Sequence, residues 1–291
     1  MADLGEGRYG HMYRAVDSIE QVEVLVEVLA RPLVSDQEAR VQFFETMHKL
    51  SSVDSQYLVR FYALEDVDSG QALVREFIDG VPFGQWRTEE HDNEKILEMA
   101  SRLVRCLKAA HDCGVVHGHL TSSEIWIDTN KQARITGFGL PAPPSAAADL
   151  PYRSPEQLAG HPPTELSDLY SLGVILYQAL TGSFPFRGDL PAELARAIEY
   201  DKPQYPDSTD INFPPDIRLM IDNLLRSDPR ERFQNCQELL ITLDEMQGYH
   251  HREKQVEESD EKRESPQKFM VVALVVLVLI LVWIVAYNLV K

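Results

Sequence analysis

Ser167-Asp-Leu-Tyr-Ser-Leu-Gly-Val-Ile-Leu-Tyr-Gln-Ala-Leu-Thr-Gly182 is the most telling stretch of the chain. Leu169, Leu172, Val174, Ile175, Leu176, Ala179 and Leu180 leave it almost no polar side. A helix that is apolar nearly all round belongs at the centre of a body. Ser167 reads as its cap, so the pattern predicts a helix from Asp168 to about Thr181, stopped by Gly182. Upstream, Ile96, Met99, Leu103, Leu107 and Ala110 recur at helical spacing between Glu94 and His111, with Gly114 as a stop signal. Residues 37 to 50 also read as a helix. The first third is different. Val22–Leu29 alternates with period two, and Tyr57–Leu64 and Ala72–Ile78 are strand-like. After Asp79-Gly80 the pattern turns helical. Strands grouped first and helices later predict an α+β, bilobal body: a small β-rich part over 1–79 and a larger helical part over 80–247.

Composition narrows the function classes. The 291 residues are 44% hydrophobic and 25% charged, which suits a globular body. Lys+Arg number 28 against 46 Asp+Glu, a net charge of −18, and so acidic a body repels nucleic acid. Cys106, Cys113 and Cys236 form no C-x-x-C pair, which points to reduced thiols in a cytosol.

Residues 248–268 are charged and poor in apolar side chains, and read as a tether. From 269 to 290 no charge occurs, and at 1.5 Å per residue a helix there is roughly 33 Å long, enough to cross a bilayer. Lys262, Arg263 and Lys268 precede the span and Lys291 follows it, so the rule that positive flanks stay inside places the body in the cytoplasm, on a single-pass C-terminal anchor. The reading expects no folded domain after Lys291 and no signal peptide at the start.

Further motifs, taken in order, carry a resemblance. Leu4-Gly-Glu-Gly-Arg-Tyr-Gly10 is followed by Val24-Leu-Val-Glu27, His117-Gly-His-Leu-Thr-Ser-Ser-Glu124, Gly137-Phe-Gly139, Ser154-Pro-Glu156, the Ser167–Gly173 helix start and Asp228-Pro-Arg-Glu-Arg232. The set resembles the protein kinase family, most closely the eukaryotic-like serine/threonine kinases of bacteria. The resemblance implies a kinase-like N-lobe and C-lobe with an ATP cleft between them. Only Met1-Ala-Asp precede Leu4, so the resemblance implies either a truncated first strand or a true start that lies upstream.

The resemblance also implies a division by role. Fold-holding positions are kept: His117, Phe138, Asp168, Gly173 and an expected Glu156–Arg232 ion pair. Positions that carry the chemistry are changed. The phosphate-holding lysine is Glu27, and a carboxylate 4 Å from a phosphate oxygen costs about 4 kcal/mol at an effective dielectric near 20. The lysine's helical partner falls at Glu45 or Thr46. The catalytic-loop aspartate is His119 and the loop lysine is Thr121. The two metal positions are Glu124 and Gly137. The H-R-D arginine is Gly118, so phosphorylation of the segment, for example at Ser145 among Pro141, Pro143 and Pro144, lacks a receiving charge. In the nucleotide cleft, Gly5, Gly7 and Gly10 serve a phosphate loop or simple turns, while Met12 and Leu25 are larger than the family residues and are expected to fill the adenine space.

Each position also has a plainer use. His117 reads as a core histidine. His119 reads as a neutral loop residue, with a surrogate base as the alternative. Glu23 and Glu27 share a strand face, facing either solvent or the cleft. Arg8 is the one candidate within the loop to stand in for the lysine.

The expectation is therefore a membrane-anchored, catalytically inactive pseudokinase acting as a scaffold or regulator, with no catalytic residues and no metal. No cofactor is expected, weak or magnesium-independent ATP binding being left open. Its partners would be proteins, an active kinase or its substrate. The alternative is a weakly active atypical serine/threonine kinase or another nucleotide-using enzyme.

Overall fold

The structure, a computed structural model, describes residues 1–30, 37–53, 56–68, 70–89, 93–140, 148–205 and 214–248. The expected membrane span over 269–290, nearly all of the tether over 248–268, and Ser145 with Pro141, Pro143 and Pro144 lie outside the described residues. Among the described residues no helix is long and apolar enough to cross a membrane. The chain divides into two units, Met1–Asp244 and Glu245–Lys291, and the first holds the cleft.

Five antiparallel strands make the first sheet, in the order β1-β2-β3-β5-β4. They are β1 (Ala2–Glu6), β2 (Gly10–Val16), β3 (Glu23–Leu29), β4 (Phe61–Val67) and β5 (Gly70–Glu76). Helix α1 (Gln37–Ser51) lies between β3 and β4 in sequence. The strands expected over Tyr57–Leu64 and Ala72–Ile78 are displaced in the structure to Phe61–Val67 and Gly70–Glu76. Strand β4 runs past Leu64 to Val67, which pairs with Gly70, and Leu58 makes only an isolated bridge to Ile135. Register decides which side chains meet. Met12 pairs with Glu27, Glu27 with Leu73, and Leu25 with Arg75, so Met12, Leu25, Glu27 and Arg75 share one face.

A second sheet of three strands, β6 (Gly80–Pro82), β7 (Ile125–Asp128) and β8 (Ala133–Ile135), lies beyond the Phe77–Asp79 linker. Helices α2 (Phe83–Glu89) and α3 (Asn93–His111) separate β6 from β7 in sequence. Then come α4 (Pro155–Leu158), α5 (Glu165–Thr181), α6 (Pro191–Tyr200), α7 (Pro215–Leu224) and a last helix, α8, over 236–248.

Helix α5 is the axis of the lower body. Leu169, Tyr170, Leu172, Ile175 and Tyr177 are completely inaccessible to solvent, as are Leu97, Leu103 and Leu107 of α3, which α5 contacts. Truncating any of these leucines to alanine costs about 2–5 kcal/mol. The helix begins one turn earlier than its sequence predicts. Thr164 is the N-cap, and Ser167 is the third helical residue, its Oγ accepting from the Thr164 N–H at 3.1 Å. Gly182 ends the helix with φ 75°, as expected of a C-terminal glycine. Gly173 is required by close approach, because a Cβ there would lie 2.7 Å from Leu224 Cβ on α7.

Candidate functional site

The cleft lies between the two sheets and is closed on one side by the β1–β2 loop. The loop lies low. A Cβ on Gly7 would sit 2.6 Å from Met12 Sδ and 2.8 Å from Glu27 Oε1. Gly10 passes so close to the Val28 carbonyl that any side chain would collide with the β3 backbone, and Gly5 has φ +82°. All three glycines therefore have a conformational or packing reason within this loop.

Glu27 does not face solvent, although the alternation of β3 allowed it. It is 1% exposed, whereas Glu23 on the same face lies open and pairs with Arg14. Its Oε1 accepts the Tyr9 N–H at 2.9 Å, and its Oε2 lies 3.7 Å from Arg75 Nη2 without a hydrogen bond. Burial pushes the Glu27 carboxyl above the ordinary range, and Arg75 and the Tyr9 amide only partly oppose this. Arg75 is a groove residue that the sequence reading missed. Nothing in the pattern of β5 marks it; only its pairing with Leu25 does.

Arg8 reaches across to the lower body instead of standing in for the lysine. Its Nη1 donates to Thr121 Oγ1 and Ser123 Oγ at 2.7 Å, and its Nη2 donates to Asp149 Oδ2 at 2.6 Å. Its Nε lies 3.0 Å from Glu124 Oε1, close but not aligned as a hydrogen bond. Next to it, Tyr9 Oη meets His119 Nε2 at 3.1 Å. The loop tip thus contacts the positions of the catalytic aspartate, the loop lysine and one metal ligand. Tyr9 and Asp149 were also missed by the sequence reading. Burial holds both their acids above ordinary values, for Asp149 despite the nearby charges of Arg8 and Arg153.

His119 is half-buried between Tyr9 and the His117 ring, 4.8 Å away edge-on. Burial, then the neighbouring His117, Arg8 and Arg153, lower its pKa to about 3, so it is neutral at physiological pH. Glu124 is 3% exposed, and its Oε2 accepts from the Thr136 hydroxyl. The same carboxylate fills the space beside Gly137, where a Cβ would lie 2.8 Å from Oε2, and Gly137 itself has φ +85°. On α1, Thr46 and Met47 face this region and abut Gly139, while Glu45 is exposed, so Thr46 takes the position that the sequence left open.

Beneath the groove lies a second polar assembly. Asp168 accepts from the His117 and Gly118 amides and contacts His111 Nε2, each at 2.8 Å, and His111 Nδ1 lies 3.4 Å from Cys236 Sγ. His117 Nε2 meets the Thr136 carbonyl at 2.9 Å, and Phe138 packs edge-on to its ring. Arg232 holds Glu156 with two hydrogen bonds of 2.7 and 2.8 Å. Burial raises the Glu156 pKa, but the hydrogen bonds and charge of Arg232 outweigh it and hold the carboxyl below the usual range.

The outer half of the cleft is open. A cavity of about 300 Å³ is bounded by Leu4, Met12, Leu25, Phe77, Ile78 and Trp126. Met12 and Leu25 therefore line this space and do not fill it, because Met12 turns its sulfur toward Gly7.

This is a bilobal body with a glycine loop over an interlobe cleft and an aspartate-anchored loop beneath it. A profile of the protein kinase domain matches residues 1–242, and the chain belongs to that family. It is 26% identical over 252 residues to the serine/threonine-protein kinase PrkC of Bacillus subtilis, covering 81% of this chain and 38% of that protein. It is 32% identical over 257 residues to the serine/threonine-protein kinase drp72 of Corynebacterium efficiens, covering 81% and 48%. It is 29% identical over 250 residues to PknA of Mycobacterium tuberculosis, covering 80% and 57%. The chain thus spans between about a third and three-fifths of the length of these relatives.

Proposed function

We propose that this kinase-family chain is a catalytically inactive, membrane-anchored pseudokinase whose surface recruits or regulates another protein. One observation carries the reading: the chain's own Arg8 guanidinium is bound to Thr121, Ser123 and Asp149 and lies against Glu124. Phosphoryl transfer requires cations around the phosphates and a positioned acceptor for the substrate proton. Here a buried carboxylate, Glu27, takes the place of the cation, and Glu124 is neutralised from within by Arg8. Gly137 offers no metal-binding oxygen, and Glu124 crowds the place where one would begin. These residues do not fit a magnesium-bound triphosphate.

The anchor rests on the uncharged run over 269–290, and the cytoplasmic side on its basic flanks. Tethering raises the effective concentration of a partner on the same membrane, an active kinase or its substrate. The rival, a weak kinase using His119 as base, is disfavoured by the pKa of about 3, which makes a poor proton acceptor.

The test is labelled-ATP turnover by the full-length chain with magnesium and a generic protein substrate. No transfer above that of a His119→Ala variant is expected, and magnesium-dependent transfer abolished by His119→Ala would overturn the reading. For the anchor, the chain is expected in the membrane fraction and released from it by deletion of 269–290. A chain that pellets equally without those residues would refute the anchor.

A further inference from the structure

The second sheet borders a different cavity on each of its faces. Trp126 of β7 lines the cleft, while the next residue, Ile127, and its cross-strand neighbour Val81 of β6 line the other side. There they floor a separate cavity of about 330 Å³, bounded by α2, α3 and the turn between β7 and β8. We infer that this cavity is a binding site for a small amphipathic monoanion, an aromatic ring that carries one carboxylate. The site is apart from the groove chemistry, and it stands whether or not the chain transfers phosphate.

The volume lies at the lower end of the range for small-molecule sites, which are mostly apolar with a few convergent polar groups. The apolar part is Val81, Ile127 and the Trp86 indole. Trp86 stacks on the buried Phe83 ring, with centroids 5.5 Å apart and planes 20° from parallel, so the indole is held as a flat wall against which a second ring can pack. Cations surround this wall. Among the described lining residues, Lys95, Arg102 and Lys131 stand against Glu98 and Asp128, three charges against two, in a chain whose net charge is −18. Both acids are engaged. Glu98 accepts from Arg102 Nη2, and Asp128 Oδ1 accepts the Asn130 and Gln132 amides at 2.9 and 2.8 Å. Arg102 also donates to the Lys131 carbonyl and so ties α3 to the turn. Lys131 itself enters no ion pair among the described residues. Its backbone has φ 61°, a left-handed position that glycine or asparagine adopts far more readily. Strain of this kind gathers at ligand clamps. One surplus cation beside an aromatic wall suits a ring with a single carboxylate. A second carboxylate would meet Glu98 and Asp128 with no further cation to balance it.

The experiment is calorimetric and thermal-shift titration of the full-length chain with three matched probes: phenylpropionate, its neutral isostere phenylpropionamide, and benzylmalonate, which adds a second carboxylate to the same skeleton. Phenylpropionate should raise the melting temperature, and the amide and the dianion should each bind about tenfold more weakly. Lys131→Asn suits the left-handed backbone but carries no charge, so it should weaken phenylpropionate about tenfold and leave the amide unchanged. Lys131→Arg keeps the charge and should retain most of the affinity. Val81→Trp, at an exposed position of an edge strand, should fill the cavity and abolish the response while the ligand-free melting temperature holds. No response to phenylpropionate, equal binding of the amide, or tighter binding of the dianion would overturn the inference. So would phenylpropionate binding that is unchanged by Lys131→Asn, or that persists in Val81→Trp.

Discussion

Two buried polar assemblies lie one above the other, and they are finished to different degrees. In the lower one, Arg232 donates to Glu156 and to the carbonyls of Leu166, Arg226 and Ser227, while both oxygens of Asp168 accept main-chain amides. In the upper one, Arg8 Nε, Glu27 Oε2, Glu124 Oε1 and Arg75 Nε are buried without hydrogen bonds. Saturated buried charge holds a fold together, whereas under-satisfied buried charge is a standing cost. The two should therefore respond oppositely to the loss of a charge. The largest effect belongs below: Arg232→Ala strands the Glu156 carboxylate and should cost about 3–5 kcal/mol in urea denaturation. A loss under 1 kcal/mol would mean that the lower assembly is no better built than the upper.

A second prediction tests how tightly the upper assembly is closed. Gly137→Asp restores the side chain type that the family uses for metal. It must do so at φ +85° and with its Cβ 2.8 Å from Glu124 Oε2. Strain and like charge together should destabilise the protein by about 2–3 kcal/mol. Shortening the neighbour in Gly137→Asp/Glu124→Asn should recover part of this, with a coupling of about 1 kcal/mol or more in a double-mutant cycle. Independent, additive effects would show that Glu124 does not occupy the missing aspartate's space.

Much of this architecture was readable in the residue order, for physical reasons that also mark where reading stops. The all-apolar face of Leu169–Leu180 can only be central, and the lone Asp168 in so apolar a helix must be paired. The start of α5 lies a turn before its predicted position because Thr164 and Ser167 are both capping residue types, and only the hydrogen bond between them assigns the roles. At the groove, Glu27 and Gly137 could be named from motif order, but their neighbours could not. Arg75 meets Leu25 through strand register, and Arg8 meets Asp149 across 141 positions. Neither partnership leaves a local pattern. Asp149 sits where the sequence shows only a proline- and alanine-rich segment.

The third prediction reverses the sign of the first. Glu27→Gln keeps an acceptor for the Tyr9 amide and removes a buried charge, so it should stabilise the protein by about 1–2 kcal/mol at pH 7. Its pH dependence follows from linkage. Burial raises the folded-state pKa above the unfolded one, so between the two values the native state holds the extra proton, and Glu27 costs more stability as pH rises. The advantage of the variant should therefore shrink as pH falls through the folded pKa and reach its minimum below the unfolded value near 4.5, where the carboxyl is protonated in the folded and the unfolded state alike. A difference that stays flat from pH 7 to pH 4.5 would mean that the carboxylate is already well solvated.

The smallest expected effect sharpens the contrast within a single strand. Glu23 and Glu27 lie on the same face of β3, four residues apart, and their chemistry is identical. Glu23 is exposed and forms an exposed pair with Arg14, whose guanidinium also stacks on Phe77 at 4.4 Å. An exposed pair loses little when one charge is removed, because water replaces the partner and salt already screens the attraction. Glu23→Gln should change stability by less than about 0.5 kcal/mol, and that small loss should vanish in 1 M salt. The Glu27→Gln gain, shielded from counterions, should persist at the same ionic strength. If the two variants behaved alike, the loop would not be closed over Glu27 in solution, and the groove would stand open along its whole length.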